Sequence, residues 1–236
     1  MKIKEITKGK TVKTFLILFT ITLLYMTYTY QGDPEFFLLY LNRSPSFIKA
    51  QANAQYYQWV SAFFLLGLIP ALIVKIVFRE RFTRYGLFGG RPLPVVLITL
   101  FGIVIITPIT YFGSKRSDMS SFYPLVLNAG DSPILFVKSS LFYVLYYIGY
   151  EFCFRGYLFL GIKEDVGEWQ ALAISLIATV LLHVNRSQGE MIMTIIIGVA
   201  FPLVVDRFKS LWPAVFMHAY AGVSLDYWII LRRGGF

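Results

Sequence analysis

The chain of 236 residues has few charged side chains and almost no cysteine or histidine. Only 15% of its residues are charged, whereas soluble domains carry about 25%. This shortage argues against an ordinary soluble domain, and a hydrophobic fraction of 57% indicates a protein that crosses the membrane several times. The single cysteine, Cys153, excludes an intrachain disulfide and a zinc site built from several thiolates.

Acidic residues are also scarce. The chain has 13 Asp and Glu against 22 Lys and Arg, which gives a formal net charge of +9. In a soluble protein such an excess can indicate nucleic-acid binding. Here the basic residues cluster in short loops beside apolar runs, which is the pattern that sets the orientation of membrane proteins. We therefore expect the lipid bilayer as a partner and no nucleic acid.

Seven apolar runs predict an all-α fold, a polytopic transmembrane helical bundle with about seven spans, because about 20 apolar residues cross a bilayer. Bulky residues at the end of the first run favour a retained helix over a cleaved signal peptide. The fifth and sixth runs are short, so we expect them to be tilted or enclosed by the bundle. The predicted spans are Thr14–Tyr30, Tyr57–Phe78, Leu93–Phe112, Ile134–Leu160, Trp169–Val184, Met191–Val205 and Leu211–Leu231.

The distribution of Lys and Arg predicts a cytoplasmic N-terminus. We expect the protein in the inner or plasma membrane of a bacterium or archaeon. A segment at 33–55 is predicted to form an interfacial helix on the outer side. Only the basic pair at the end of the last span fits this orientation poorly. The basic groups expected inside are the N-terminal lysines, the loop 79–91, Lys163, Arg207 and Lys209, and those expected outside are Arg232 and Arg233.

Four ionisable side chains in the later spans carry the strongest functional signal. Glu151 and Arg155 are four residues apart, so they share one helical face and can pair. His183 and His218, the only histidines, lie in later apolar runs. Ionisable groups are costly inside a membrane span, so their presence indicates a functional site. The structural alternative is a Glu–Arg pair that neutralises itself and joins two helices.

Helix geometry predicts that Glu151 and His218 lie at similar depth. With a rise of 1.5 Å per residue, they are about 13 Å and about 10 Å from the cytoplasmic ends of their spans. His183 would lie about 21 Å from the start of the fifth span, so that span must start higher or tilt. Together the three residues suit general acid–base catalysis, with one histidine on a water beside Glu151 and the other donating to an oxyanion.

A metal site is the alternative use of the same side chains. Two histidines and one glutamate can hold zinc. The sequence contains no H-E-x-x-H spacing, and the three residues come from separate segments. The sequence does not decide between a zinc cofactor and catalysis without a metal, because the same residue types serve both.

The order of these residues resembles that of the CAAX prenyl endopeptidase-like intramembrane proteases, also called the CPBP or Abi family. The segment Glu151–Gly156, followed by Tyr157 and Leu158, resembles the first motif of the family, and Ser210–Ala219 resembles the third. We therefore divide the chain into N-terminal transmembrane helices and loops, residues 1–133, and core helices similar to a CAAX protease, residues 134–236.

The resemblance implies a site inside the membrane that cuts a peptide bond with a glutamate-activated water. It implies Glu151 as the base, His183 as its partner on the water and His218 as the oxyanion donor. Arg155 would orient the glutamate. The implied partner is a membrane-anchored protein or peptide that is cleaved near its C-terminus, as in CAAX-type or bacterial sorting-signal processing.

Three positions depart from the family pattern. The first of two adjacent glutamates, usually taken as the base, is Tyr150, and the aromatic residue expected four before the first histidine is Thr179. The Asn or Asp expected four after the last histidine is Gly222, with Asn185 and Asp226 as candidate substitutes.

These departures support a second hypothesis, a catalytically degenerate member that acts as a membrane binding or immunity scaffold. A small transporter is a third hypothesis, which the lack of an internal repeat disfavours.

Overall fold

The computed structural model describes the backbone of residues 2–236 and, apart from positions 2–8 and 10, the side chains of these residues. Within this part of the chain there are helices and no strands, which confirms the predicted all-α bundle. The α-helices are α1 (Lys2–Gln31), α2 (Pro34–Phe36), α3 (Phe47–Ala62), α4 (Ile69–Leu72), α5 (Pro92–Gly113), α6 (Ser117–Ser120), α7 (Pro133–Glu151), α8 (Gly161–Val166), α9 (Glu168–Leu182), α10 (Gln188–Phe208) and α11 (Trp212–Arg232).

Several of these helices continue into wider π-helical segments. Such segments are rare and often lie at functional sites. The longest in the described chain, Phe152–Leu160, begins directly after Glu151 and joins α7 to α8. The other π-helical segments are Phe37–Leu41, Phe63–Leu68 and Ile73–Val77, and a 3₁₀ turn covers Phe82–Tyr85.

Six of the seven predicted runs form helices that are long and apolar enough to cross a membrane. The fifth run forms α9, which has 15 residues and is about 22 Å long, shorter than the hydrocarbon core of about 30 Å. The six candidate spans are Thr11–Gln31, Phe47–Val77, Pro92–Gly113, Pro133–Val166, Gln188–Phe208 and Trp212–Arg232.

The basic loops gather at one end of the bundle, as the orientation analysis predicted. The backbone N–H of Leu211 donates to the carbonyl of Gly86 at 2.8 Å, which joins two of these loops. At the opposite end, Arg233 donates to the carbonyl of Ser120. Ion pairs tie the basic end together: Lys13–Glu80 at 2.8 Å, Arg84–Glu80 at 2.9 Å, Arg84–Glu164 at 2.6 Å and Lys163–Asp206 at 2.6 Å.

The ion-pair cluster at this end should make stability depend on pH through Glu80. Partial burial opposes ionisation of Glu80, but hydrogen bonds from Lys13 and Tyr85 and the charges of Lys13 and Arg84 hold its pKa below the ordinary value. This stabilisation is present above the ordinary carboxyl pKa of about 4.3 and is lost as the pH falls through the lower pKa of the folded protein.

We expect Glu80→Gln to lower the melting temperature by about 2–4 °C at pH 7, since partly exposed ion pairs contribute up to ~1 kcal/mol. At pH 3 the difference from the wild-type protein should be much smaller. Thermal unfolding in lipid nanodiscs at both pH values measures this difference in melting temperature. Glu35→Gln, at an exposed position on α2, is the control. An equal loss at both pH values would assign the effect to packing instead.

The hydrophobic core surrounds the π-helical segment that follows α7. Phe152, Phe154 and Phe159 are buried there and belong to one cluster with Ile17 of α1 and Leu211 before α11. The core therefore encloses the segment that carries Arg155 on all sides, and it unites the first helix with the last ones.

Helices α3 and α7 cross at a point where only glycine fits. A Cβ atom on Gly149 would lie 2.8 Å from the carbonyl oxygen of Ala62 and 2.8 Å from the Cα of Phe63. A Cβ on Gly67 would lie 2.9 Å from the Cα of Gly149. This close backbone contact fixes the position of Glu151, which is two residues further along α7.

Candidate active site

The carboxylate of Glu151 joins two of the predicted site residues. It is fully buried, and its Oε1 accepts a hydrogen bond of 2.5 Å from Nδ1 of His218. Its Oε2 forms an ion pair with Nε of Arg155 at 3.3 Å. Because a carboxylate can only accept, Nδ1 of His218 must carry the proton. The other ring nitrogen, Nε2, is therefore the one available for further interactions.

Aromatic rings fix the plane of the His218 imidazole. The ring centroid of Tyr147 lies 4.1 Å from that of His218, and Phe201 packs edge-on at 5.6 Å. Tyr150 contacts both imidazoles, with centroids 5.4 Å from His218 and 6.2 Å from His183. The side chain that replaces the first glutamate of the family motif is thus wedged against both histidines.

His183 lies beside a carboxylate that the sequence analysis did not single out. At the C-terminal end of α9, its Nδ1 lies 2.8 Å from the carbonyl oxygen of Thr179, to which it must donate. Its Nε2 faces Glu190, whose Oε1 is 3.7 Å away. Glu190 lies in the first turn of α10, and the tight turn from α9 to α10 brings the two side chains together.

Two cavities meet at the histidines. The smaller has a volume of about 30 Å³, enough for a water molecule. It has a polar wall and is lined among others by His183, His218, Glu190, Arg186, Tyr123 and Tyr143. Among the described residues that line either cavity, Glu151 does not occur.

The larger cavity has a volume of about 710 Å³, within the range of about 300–1,000 Å³ that is usual for ligand sites. Its walls come mainly from α5, α10 and α11 and are mostly apolar, and His183, Glu190 and His218 form a polar group among them. Three exposed side chains of spanning helices also line this cavity, namely Ile109, Phe112 and Ile192. The cavity therefore opens toward lipid.

A positive charge balances Glu190 at the end of the cavity outside the spans. Burial opposes the charge of Arg186, but Tyr123 and the Glu190 carboxylate beside it raise its pKa above the ordinary value. Arg186 lies in the turn between α9 and α10. The polar wall therefore contains one acidic and one basic side chain next to the two histidines.

The two candidate substitutes for the family's last donor lie elsewhere. Asn185 is exposed in the turn after α9, and Asp226 is buried on α11; neither is among the described residues that line the cavities. At Gly222 a Cβ atom would lie 2.6 Å from Cε1 and 3.1 Å from the hydroxyl oxygen of Tyr143. The Tyr143 ring therefore fills the space that an Asn or Asp side chain would take.

The sequence left a zinc site open. Among the side chains that the structure describes, no group of three or more His, Cys, Asp or Glu is arranged to hold a metal ion. The histidines are divided between two acidic neighbours, with His218 on Glu151 and His183 on Glu190.

Comparison with known proteins adds one match. Residues 132–223 match the family described as type II CAAX prenyl endopeptidase Rce1-like, which confirms the resemblance seen in the sequence. The matched region runs from the start of α7 into α11 and includes all four predicted site residues as well as Glu190. Neither a curated protein nor a solved structure matches the chain.

Proposed function

Because residues 132–223 of this integral membrane protein match the Rce1-like CAAX prenyl endopeptidase family, we propose that it is an intramembrane endopeptidase. Its substrate would be a membrane-anchored protein or peptide that is cut near its C-terminus. The observation that carries the proposal is a histidine fixed by a buried carboxylate at the wall of a cavity that opens toward lipid.

The cavity suits a membrane-anchored substrate. Its mostly apolar walls can take an apolar tail or a lipid anchor directly from the bilayer, while the polar group at the histidines can receive the peptide bond. Exclusion of bulk water from such a site strengthens the interactions of its charged groups with the developing oxyanion.

His218 is the proposed oxyanion donor. With Nδ1 held by the Glu151 carboxylate, the imidazolium form of His218 carries its second proton on Nε2, which can donate to the oxygen of the tetrahedral intermediate. Arg155, paired with the same carboxylate, keeps Glu151 ionised and in place. The Tyr143 hydroxyl, beside Gly222 on the cavity wall, is a candidate second donor.

Two further features belong to the proposal. The basic end of the bundle faces the cytoplasm, since Lys- and Arg-rich loops are retained there. The proposed steps assign the acid–base roles to side chains of the protein and route none of them through a metal ion.

A non-catalytic binding protein is the competing function. One observation favours it, because Tyr150 is wedged against both histidines where the family usually carries its base. The two functions differ in whether C-termini of membrane proteins change when the protein is present.

Mass spectrometry of membrane-protein C-termini tests the proposal in cells that produce the wild-type protein, His218→Ala or neither. Shortened C-termini should occur only with the wild-type protein, and His218→Ala should insert and fold as the wild-type protein does. Identical C-termini in all three samples would overturn the endopeptidase and favour the binding protein.

A further inference from the structure

We propose that Glu190, which lies beside His183, is the general base that activates the attacking water in this protein. The inference rests on the proposed endopeptidase function and names a catalytic residue for it. It assigns the role of the missing family glutamate to a carboxylate on α10, a different helix from the one that carries the first motif.

The geometry around Glu151 leaves little room for this role. One of its oxygens accepts from His218 at 2.5 Å, and the other is paired with Arg155 at 3.3 Å. Its side chain is fully buried, and the described lining of the two cavities does not include it. A base must reach the water that it deprotonates, directly or through one further water. Glu151 is therefore a positioning residue that acts through His218.

Glu190 meets the requirements that Glu151 does not. Its carboxylate lines both cavities together with His183 and His218. Oε1 faces Nε2 of His183 at 3.7 Å, Tyr123 lies beside the carboxylate, and Oε2 is buried without a close hydrogen bond from the described side chains. Glu190 and His183 therefore line the same cavity of about 30 Å³, which can hold a water.

Glu190 lies at the end of its helix where the backbone carries partial positive charge, in the first turn of α10. The titratable and charged groups around it come from α7, α11, the region of α6 and the connecting loops, and they are Arg116, Asp118, Tyr123, Tyr143, Tyr146, Tyr147, His183, Arg186 and His218.

A helix-capping role is the structural alternative. Ser187 and Glu190 have the spacing of a capping box, and the Ser187 hydroxyl accepts from the backbone N–H of Glu190 at 3.1 Å. In a complete capping box the glutamate side chain turns back to the start of the helix. Here Oε1 faces His183 and Oε2 is buried, so the side chain is directed into the protein.

The reaction then proceeds as follows. Glu190 takes one proton from the water, and the water oxygen forms a bond to the carbonyl carbon of the scissile peptide. The negative charge moves to the carbonyl oxygen, where Nε2–H of His218 stabilises it. On collapse the C–N bond breaks, and the proton held by Glu190 passes to the leaving nitrogen. The products are a carboxylic acid and an amine, and the acid transfers its proton to the amine.

Glu190→Gln separates catalysis from capping, because Gln serves equally well in a capping box but cannot take a proton. Full-length protein in nanodiscs would be assayed with the peptide that spans the cut found for the wild-type protein. We expect Glu190→Gln to lower kcat by at least about 10²-fold with KM and melting temperature little changed. Glu35→Gln on α2, the same chemical change on an exposed side chain, should retain the wild-type rate.

The pH profile gives the second readout. In the wild-type protein kcat/KM should fall on the acidic side as the base is protonated. Glu190→Asp should retain part of the rate and shift this acidic limb, and the residual activity of Glu190→Gln should lack it. If Glu190 only capped the helix, the acidic limb would be the same in both variants as in the wild-type protein.

The outcomes distinguish the inference from the function on which it rests. Wild-type cleavage rates in Glu190→Gln, or an acidic limb unchanged in Glu190→Asp, would overturn the role of Glu190 and leave the endopeptidase in place. If membranes that contain the wild-type protein show no changed C-termini, the endopeptidase itself is overturned, and the role of Glu190 with it.

Discussion

Glu151→Gln is expected to lower the cleavage rate by about 10²–10⁴-fold, the range found when a carboxylate that orients a catalytic histidine is neutralised. The amide oxygen of Gln can still accept from Nδ1 of His218, so the ring stays in place. What is lost is the negative charge beside the imidazole that donates to the oxyanion. Single-turnover cleavage in nanodiscs should show the loss in the chemical step.

A double variant separates this effect from misfolding. Glu151→Gln leaves the guanidinium of Arg155 buried without its counter-ion, and removing one partner of a buried pair costs about 3–5 kcal/mol. Glu151→Gln combined with Arg155→Gln removes both charges, so it should recover much of the stability while it stays inactive. Wild-type cleavage by a folded Glu151→Gln variant would contradict the proposed role.

Gly149→Leu is expected to prevent the bundle from folding, and Gly149→Ala should cost about 1–3 kcal/mol. The first added carbon would lie 2.8 Å from backbone atoms of the facing helix, and backbone cannot move aside as a flexible side chain can. Since Gly149 lies one half-turn before Glu151, any shift that relieves the clash also moves the carboxylate away from His218.

Unfolding of the purified protein by SDS in mixed micelles measures the effect of Gly149→Ala. Gly113→Ala at the end of α5 is a matched control, because its Cβ would meet the nearest side-chain atom, of Leu225, at 3.9 Å, an ordinary contact. Equal stability of the two variants would show that α3 and α7 do not pack as closely as described.

The parts of the site that lie on long helices were predictable from the sequence. The span of Glu151 ends, and the span of His218 begins, on the same side of the bundle, so residue counts alone placed the two at matching depth, and they are in contact. The spacing of Glu151 and Arg155 predicted their ion pair in the same way. The bundle itself followed from apolar runs of sufficient length.

The partner of His183 was not predictable by the same means. Glu190 lies next to the predicted start of a span, at capping-box spacing from Ser187, and both features are typical of an ordinary helix start. Only the tight turn between α9 and α10 brings its side chain back to His183. A turn of this kind leaves little signal in the apolar pattern, because its geometry depends on packing against α6 and α11.

The lateral opening of the larger cavity affects how the protein has to be assayed. A detergent molecule has an apolar tail of the kind that these walls accept, so detergent above its micellar concentration would compete with the substrate for the same volume of about 710 Å³. Rates measured in micelles would fall with the number of detergent molecules per protein, while KM would rise. A bilayer of defined lipids removes this competitor, so turnover in nanodiscs and in detergent should differ even when the fold is the same.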